Sequence, residues 1–165
     1  MNPKVWFSVP GLISSRTMVP PMSDDSPCDT RDQYGIFMPL ATRWMDNDIF
    51  GHVNNVVYYS YIDTAVTNYY LEHASQDVRS SLVIPVAAET KCTFKRPIKH
   101  PASIEAGLRA DRIGNTSVKV GVGIFLKDEP TARAWGYMVH VFVDRVTNKP
   151  VSIPEPIRLG LERIR

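Results

Sequence analysis

Between Asn55 and His73 the apolar residues Tyr58, Tyr61, Ile62, Ala65, Val66, Tyr69 and Tyr70 recur at intervals of three and four. Ser60, Asp63, Thr64, Thr67, Asn68 and Glu72 fill the gaps at the same period. Many of these side chains favour strands, but strict alternation breaks at Tyr58-Tyr59 and Asp63-Thr64. The spacing therefore predicts a helix over 55–73 with a wide apolar face, its first turn capped by Asn54 or Asn55. A helix this apolar needs a large surface to cover it, and the rest of the chain must supply that surface.

The rest of the chain alternates. Phe37 to Trp44 reads as a first strand, with Pro39 pointing to an edge. Val86 to Arg96 reads as a second, ended by Pro97. Ile104, Ala106, Leu108 and Ala110 share one face of a third, and Gly114-Asn115 marks a turn. Val118, Val120, Val122, Ile124 and Leu126 share a face of the fourth. After Asp128-Glu129-Pro130, the residues Trp135, Tyr137, Val139, Val141 and Val143 mark a fifth, and Pro154 to Arg163 a short terminal helix. One strand, one helix and four strands joined largely by short turns predict an α+β fold. Its antiparallel sheet curves around the single long helix. With 165 residues the chain makes one domain, placed at 34–165. Residues 1–33 are rich in Ser, Pro and Asp after position 13 and read as a flexible extension. Met18 and Met22 are alternative starts, and Pro10 and Gly11 interrupt the short apolar stretch that would make a secretory signal.

Nineteen Lys+Arg against seventeen Asp+Glu leave a net charge of +2, too small and scattered to favour nucleic acid or an anionic membrane as partner. No run approaches the roughly 20 apolar residues of a membrane span. Cys28 and Cys92 form no framework, which favours a reduced, cytoplasmic compartment, where Asn115-Thr116-Ser117 is a turn.

The chemistry concentrates in Asp46-Asn47-Asp48-Ile49-Phe50-Gly51-His52-Val53-Asn54-Asn55, which carries two carboxylates, a histidine, a glycine and asparagines just before the helix. A helix start offers unpaired amides and a partial positive charge, which stabilise a developing oxyanion. An acid beside it acts as general base or nucleophile. Asp46 reads as structural, a partner for Arg43 or a turn amide, and Asp48 as a cap of the turn or helix start or as such an acid. Gly51 serves the backbone, leaving room for a substrate to approach the amides. Asn54 and Asn55 are caps and substrate contacts, and Tyr58 lines a pocket or the core. Asp46, Asp48 and His52 offer metal-ligand atoms, but no further Cys or His cluster joins them, and no metal or cofactor is expected. In Lys95-Arg96-Pro97-Ile98-Lys99-His100, the cations Arg96 and Lys99 suit a phosphate-bearing substrate.

The stretch Asp46 to Tyr58 resembles, over its whole length, the D-x-D-x-x-G-H-V-N-N-x-x-Y signature of the 4-hydroxybenzoyl-CoA thioesterase branch of the hotdog superfamily. The order of elements is similar over about residues 36 to 150, and 1–33 has no counterpart. The resemblance implies a hotdog fold and hydrolysis of an acyl-CoA thioester, with the site at a dimer interface where two sheets join edge to edge, in a homodimer or homotetramer. It places the catalytic carboxylate on Asp48 and the polarising amides after Gly51, from Val53 to Asn55. His52 matches the variant that writes G-H-V-N-N and is a second catalytic candidate, although the hydroxybenzoyl enzyme itself lacks it. Plant acyl-ACP thioesterases carry asparagine where Phe50 stands, so their catalytic set does not transfer. Two other functions suit the same fold: a non-enzymatic acyl-CoA-binding module, and an enoyl-CoA hydratase or dehydratase.

Overall fold

The computed structural model describes residues 29–73 and 80–165. Its elements are β1 (Ile36–Ala41), α1 (Asn55–His73), β2 (Val83–Phe94), β3 (Ser103–Ile113), β4 (Ser117–Leu126), β5 (Ala134–Asp144) and α2 (Glu155–Glu162). Three-residue 3-10 turns lie at Arg31–Gln33 and Trp44–Asp46. The strands form one antiparallel sheet in the order β1-β3-β4-β5-β2. β1 and β2 flank the helix in sequence and are the two rims of the sheet. To travel from one rim to the other, α1 crosses the sheet and packs on all five strands. The curved sheet around a central helix is the hotdog fold.

The helix has the limits its period predicts, and all seven residues of its apolar stripe are buried. Opposite them lie Ile104, Ala106, Leu108 and Ala110 of β3 and Val118, Val120, Val122 and Ile124 of β4, also buried. Each large aliphatic side chain withdrawn from water there stabilises the fold by about 1.5–3 kcal/mol. Bulges between Ala87 and Glu89 and between Ala110 and Arg112 interrupt the ladders and add local bend and twist.

Two differences from the sequence reading, in β1 and β2, have physical causes. β1 stops at Ala41 rather than Trp44. The Thr42 hydroxyl donates to the Ala102 carbonyl (3.1 Å) and accepts from its amide (2.8 Å), and Asp46 draws the chain into a 3-10 turn through the Arg43 amide. β2 starts at Val83, before Pro85, because Pro85 sits on a rim strand where an amide donor can be missing. In β5 the residues buried toward the helix are Ala134, Met138, His140 and Phe142. Trp135, Tyr137, Val139 and Val141 lie half-buried on the other side, where the Lys119 ammonium sits 3.6 Å from the Tyr137 ring centre.

The expected extension 1–33 falls outside the described residues except for 29–33, as do Cys28 and the apolar N-terminal stretch. Residues 29–33 bind the outer side of the sheet. Thr30 bridges Thr131, Arg31 pairs with Glu105, and Asp29 accepts from Tyr34 at 2.6 Å and pairs with Arg109 at 3.1 Å. Among the described residues no helix is long and apolar enough to cross a membrane.

Candidate active site

The loop between the 3-10 turn and α1 is a small closed frame. The Asn54 amide donates to the Asp46 carbonyl (2.8 Å), Asn47 and Val53 form an isolated bridge, and the Asp48 amide donates to the His52 carbonyl (2.8 Å). At its tip the Gly51 amide returns to the Asp48 carbonyl at 3.0 Å, with Gly51 at φ +77°. A Cβ on Gly51 would meet nothing within 4 Å. A left-handed φ is a geometry that glycine takes without strain, so Gly51 serves the backbone of the turn. The frame is fastened to the segment after β2 by the Val53 amide on the Ile98 carbonyl (2.8 Å) and the His100 amide on Asn47 Oδ1 (3.1 Å).

The two carboxylates in the frame have different surroundings. Asp46 is 1% exposed and accepts from the Arg43 amide, Arg43 Nε and the Tyr61 hydroxyl at 2.6, 3.0 and 2.6 Å. Burial pushes its carboxyl up, but these bonds and the Arg43 charge outweigh it and hold the group below the ordinary carboxylate range. Asp48 is half-buried. Its Oδ1 accepts the Phe50 amide at 2.8 Å, an Asx turn, and the His52 amide lies at 3.5 Å. Asp48 therefore caps its own turn with one oxygen and also lines a cavity.

That cavity, of about 310 Å³, is bounded by Asp48, Val53, Asn55 and Tyr58 on the helix side and by Phe94, Lys95, Arg96 and Pro97 on the sheet side. Five of the nine residues expected at the site meet there: Asp48, Val53, Asn55, Tyr58 and Arg96. Gly51, His52 and Asn54 shape or cap the loop without lining it, and Lys99 is exposed beyond it. Phe94, Lys95 and Pro97 are additions. Lys95 was visible in the basic cluster, whereas Phe94 and Pro97 reach the site only because β2 ends opposite the start of α1.

The amides at the helix start divide sharply. Val53 N–H is used by Ile98, Asn54 N–H by Asp46, Val56 N–H by the Asn54 side chain (3.0 Å) and Val57 N–H by the Asn54 carbonyl (2.9 Å). Of the amides from 53 to 57, Asn55 N–H is the one with no partner among the described residues, and Asn55 lines the cavity. The expected polarising group of Val53 to Asn55 thus narrows to one donor.

The walls are apolar and aromatic. Tyr58 packs edge-on against Phe94, with ring centres 5.1 Å apart. Burial pushes its phenol up, and the Ile98 amide pulls it back only in part. Cys92 is half-buried, and burial pushes its thiol up to about 12, which makes it a packing residue and not a nucleophile. At the rim, Arg96 is tied to the Thr131 hydroxyl at 2.5 Å and lies 3.7 Å from Glu129. Around the loop Ile49 and Phe50 are 94% and 77% exposed, and Trp44, Met45 and Val56 are exposed with them. Among the described residues no three His, Cys, Asp or Glu gather as metal ligands.

Asp48 and Asn55, whose amide has no partner among the described residues, thus line one cleft on a hotdog scaffold. The chain belongs to the thioesterase-like superfamily, whose family model matches residues 42–161. It is 43% identical to the PA5185 protein of Pseudomonas aeruginosa strain PAO1, over 84% of this chain and 97% of that one, with a TM-score of 0.82. A thioesterase from Thermus thermophilus, solved with coenzyme A and Zn, shares the fold at 24% identity and a TM-score of 0.66, over 79% and 94% of the two chains. The YsmA protein of Bacillus subtilis (strain 168) is 24% identical over 125 residues, 74% of this chain and 82% of its own.

Proposed function

We propose that the chain hydrolyses acyl-CoA thioesters to a free acid and CoA in the cavity between α1 and the end of β2. The reading rests on one observation: Asp48 and Asn55, whose amide has no partner among the described residues, line the same cleft. The Asn55 N–H, backed by the helix dipole, binds the thioester carbonyl oxygen as charge builds on it, a donor of the kind that lowers a barrier by roughly 3 kcal/mol. Asp48 acts in one of two ways. As general base it takes a proton from water, which attacks the carbonyl carbon; the C–S bond breaks and the thiolate leaves to be protonated. As nucleophile it forms a mixed anhydride with loss of thiolate, and water then hydrolyses the anhydride. Single-turnover hydrolysis in oxygen-18 water separates the two, since only the anhydride route puts label into the Asp48 side chain.

Tyr58 and Phe94 hold the acyl group, and Lys95, Arg96 and Lys99 attract the phosphates of CoA at the rim. The coenzyme A in the Thermus thermophilus thioesterase supports this choice of substrate. His52 is the second catalytic candidate, beside Asp48 in the loop. A second copy joined along β2 fits the exposed rim strand, where Val86 and Phe94 are uncovered, and the exposed apolar side chains of the loop.

The test is release of free thiol from a panel of short, long, aromatic and hydroxylated acyl-CoAs, with Asp48→Asn as control. Hydrolysis of at least one class, reduced about 100-fold or more in the variant, is expected. Saturable binding without thiol release, or hydration of crotonyl-CoA in place of hydrolysis, overturns the proposal.

A further inference from the structure

Asp46 is sealed from the cavity, yet both groups assigned to the chemistry hang from it. Asp48 follows two residues later, and the Asp46 carbonyl holds the amide of Asn54, the residue before the Asn55 donor. Its carboxylate gathers one donor from the chain entering the loop, the Arg43 amide, and one from the helix, the Tyr61 hydroxyl six residues beyond Asn55, both at 2.6 Å. We infer that Asp46, held by Tyr61 and Arg43, is a positioning residue that sets the Asp48 carboxylate against the Asn55 amide. The inference rests on the role given to Asp48 above.

The residue types fit that task. Only an ionised carboxylate accepts all three bonds at once, because asparagine would turn an NH2 group toward one of the donors. Bonds to a charged acceptor are the strong ones, and here two of the three are short. The Arg43 guanidinium is the weakest partner, since its side chain is 60% exposed and such pairs are screened by solvent. Tyr61 is therefore the sharpest point of attack. Its ring is buried against Tyr58, with centres 6.1 Å apart, so phenylalanine keeps the packing and removes only the hydroxyl. A misplacement of about 1 Å at a reacting group can cost roughly 100-fold in rate.

The experiment is a double-mutant cycle on the full chain, with thiol release as the readout and thermal unfolding as the check on folding. Tyr61→Phe lowers kcat roughly tenfold and leaves KM within about twofold. In the Asp48→Asn background the same change lowers the residual rate no further, because there is no longer a carboxylate to place. A purely structural role predicts the same fold-loss in both backgrounds, and that result overturns the inference, as does an unchanged kcat in Tyr61→Phe. Asp46→Asn follows the same pattern with a larger loss; if it does not fold, the Tyr61→Phe cycle decides alone. Full turnover by Asp48→Asn itself overturns both this inference and the role of Asp48. A loss of about 100-fold there, with Tyr61→Phe silent, overturns this inference and leaves that role standing.

Discussion

The two ends of α1 are built from the same residue types and treated oppositely. At the C-terminal end the Tyr69 hydroxyl donates to the Gly160 carbonyl at 2.6 Å, and the Tyr70 hydroxyl meets His140 Nδ1 at 3.1 Å. α2 closes that end with Ile157 and Leu161, both fully buried. At the N-terminal end an amide is left unpaired, a carboxylate faces a cleft, and apolar side chains stand in the open. Asn55 is exposed, so its spare amide costs little while water can reach it, and the stability of the fold rests on packing elsewhere. The closed end supplies that packing, and the open end is where a thioester can be engaged.

The contrast can be broken in four ways. Tyr70→Ala should remove about 4 kcal/mol of unfolding free energy, as a large aromatic deleted from a sealed core does, measured by urea denaturation. Asp48→Asn should do the reverse, costing at least about 100-fold in hydrolysis, about 3 kcal/mol of barrier, with the melting temperature held. Acid attacks the closed end first. Burial pushes the His140 imidazole down to about 4, against a partial pull upward from Asp63. The unfolded chain then takes up this proton near 6.5, before the native state does. Stability from the neutral imidazole is complete above about pH 6.5 and is lost as pH falls from there toward about 4, by up to roughly 3 kcal/mol. Urea midpoints should fall further between about pH 7 and pH 5 for the wild type than for His140→Gln. The smallest effect belongs to Tyr69→Phe, which gives up one buried hydrogen bond, about 1 kcal/mol by the same denaturation measurement.

Much of this division was legible in the residues. The three-and-four spacing set both limits of α1, and the resemblance of the Asp46–Tyr58 stretch to a thioesterase signature is what picked Asp48 of the two acids. Alternation also found the buried face of β3 and β4. It was silent on β5, where both sides are apolar and burial depends on which side the helix lies. Phe94 and Pro97 were invisible as site residues, since their place opposite α1 follows from strand order and not from any local pattern. Which amide at the helix start is spare could not be read either: every residue there has an N–H, and only the tally of partners among the described residues shows it. Gly51 was read as serving the backbone and its left-handed torsion agrees, although no local pattern announces the sign of φ.

The strand order also has a consequence for synthesis. Ile36 pairs with Leu108 and Val83 with Asp144, whereas β3, β4 and β5 pair with their neighbours in the chain. Short-range ladders close quickly and distant ones slowly. Of the described strands, β1 leaves the ribosome first and waits, unpaired, until about seventy further residues have followed it, so a chaperone that shields rim strands would find its longest-lived target there.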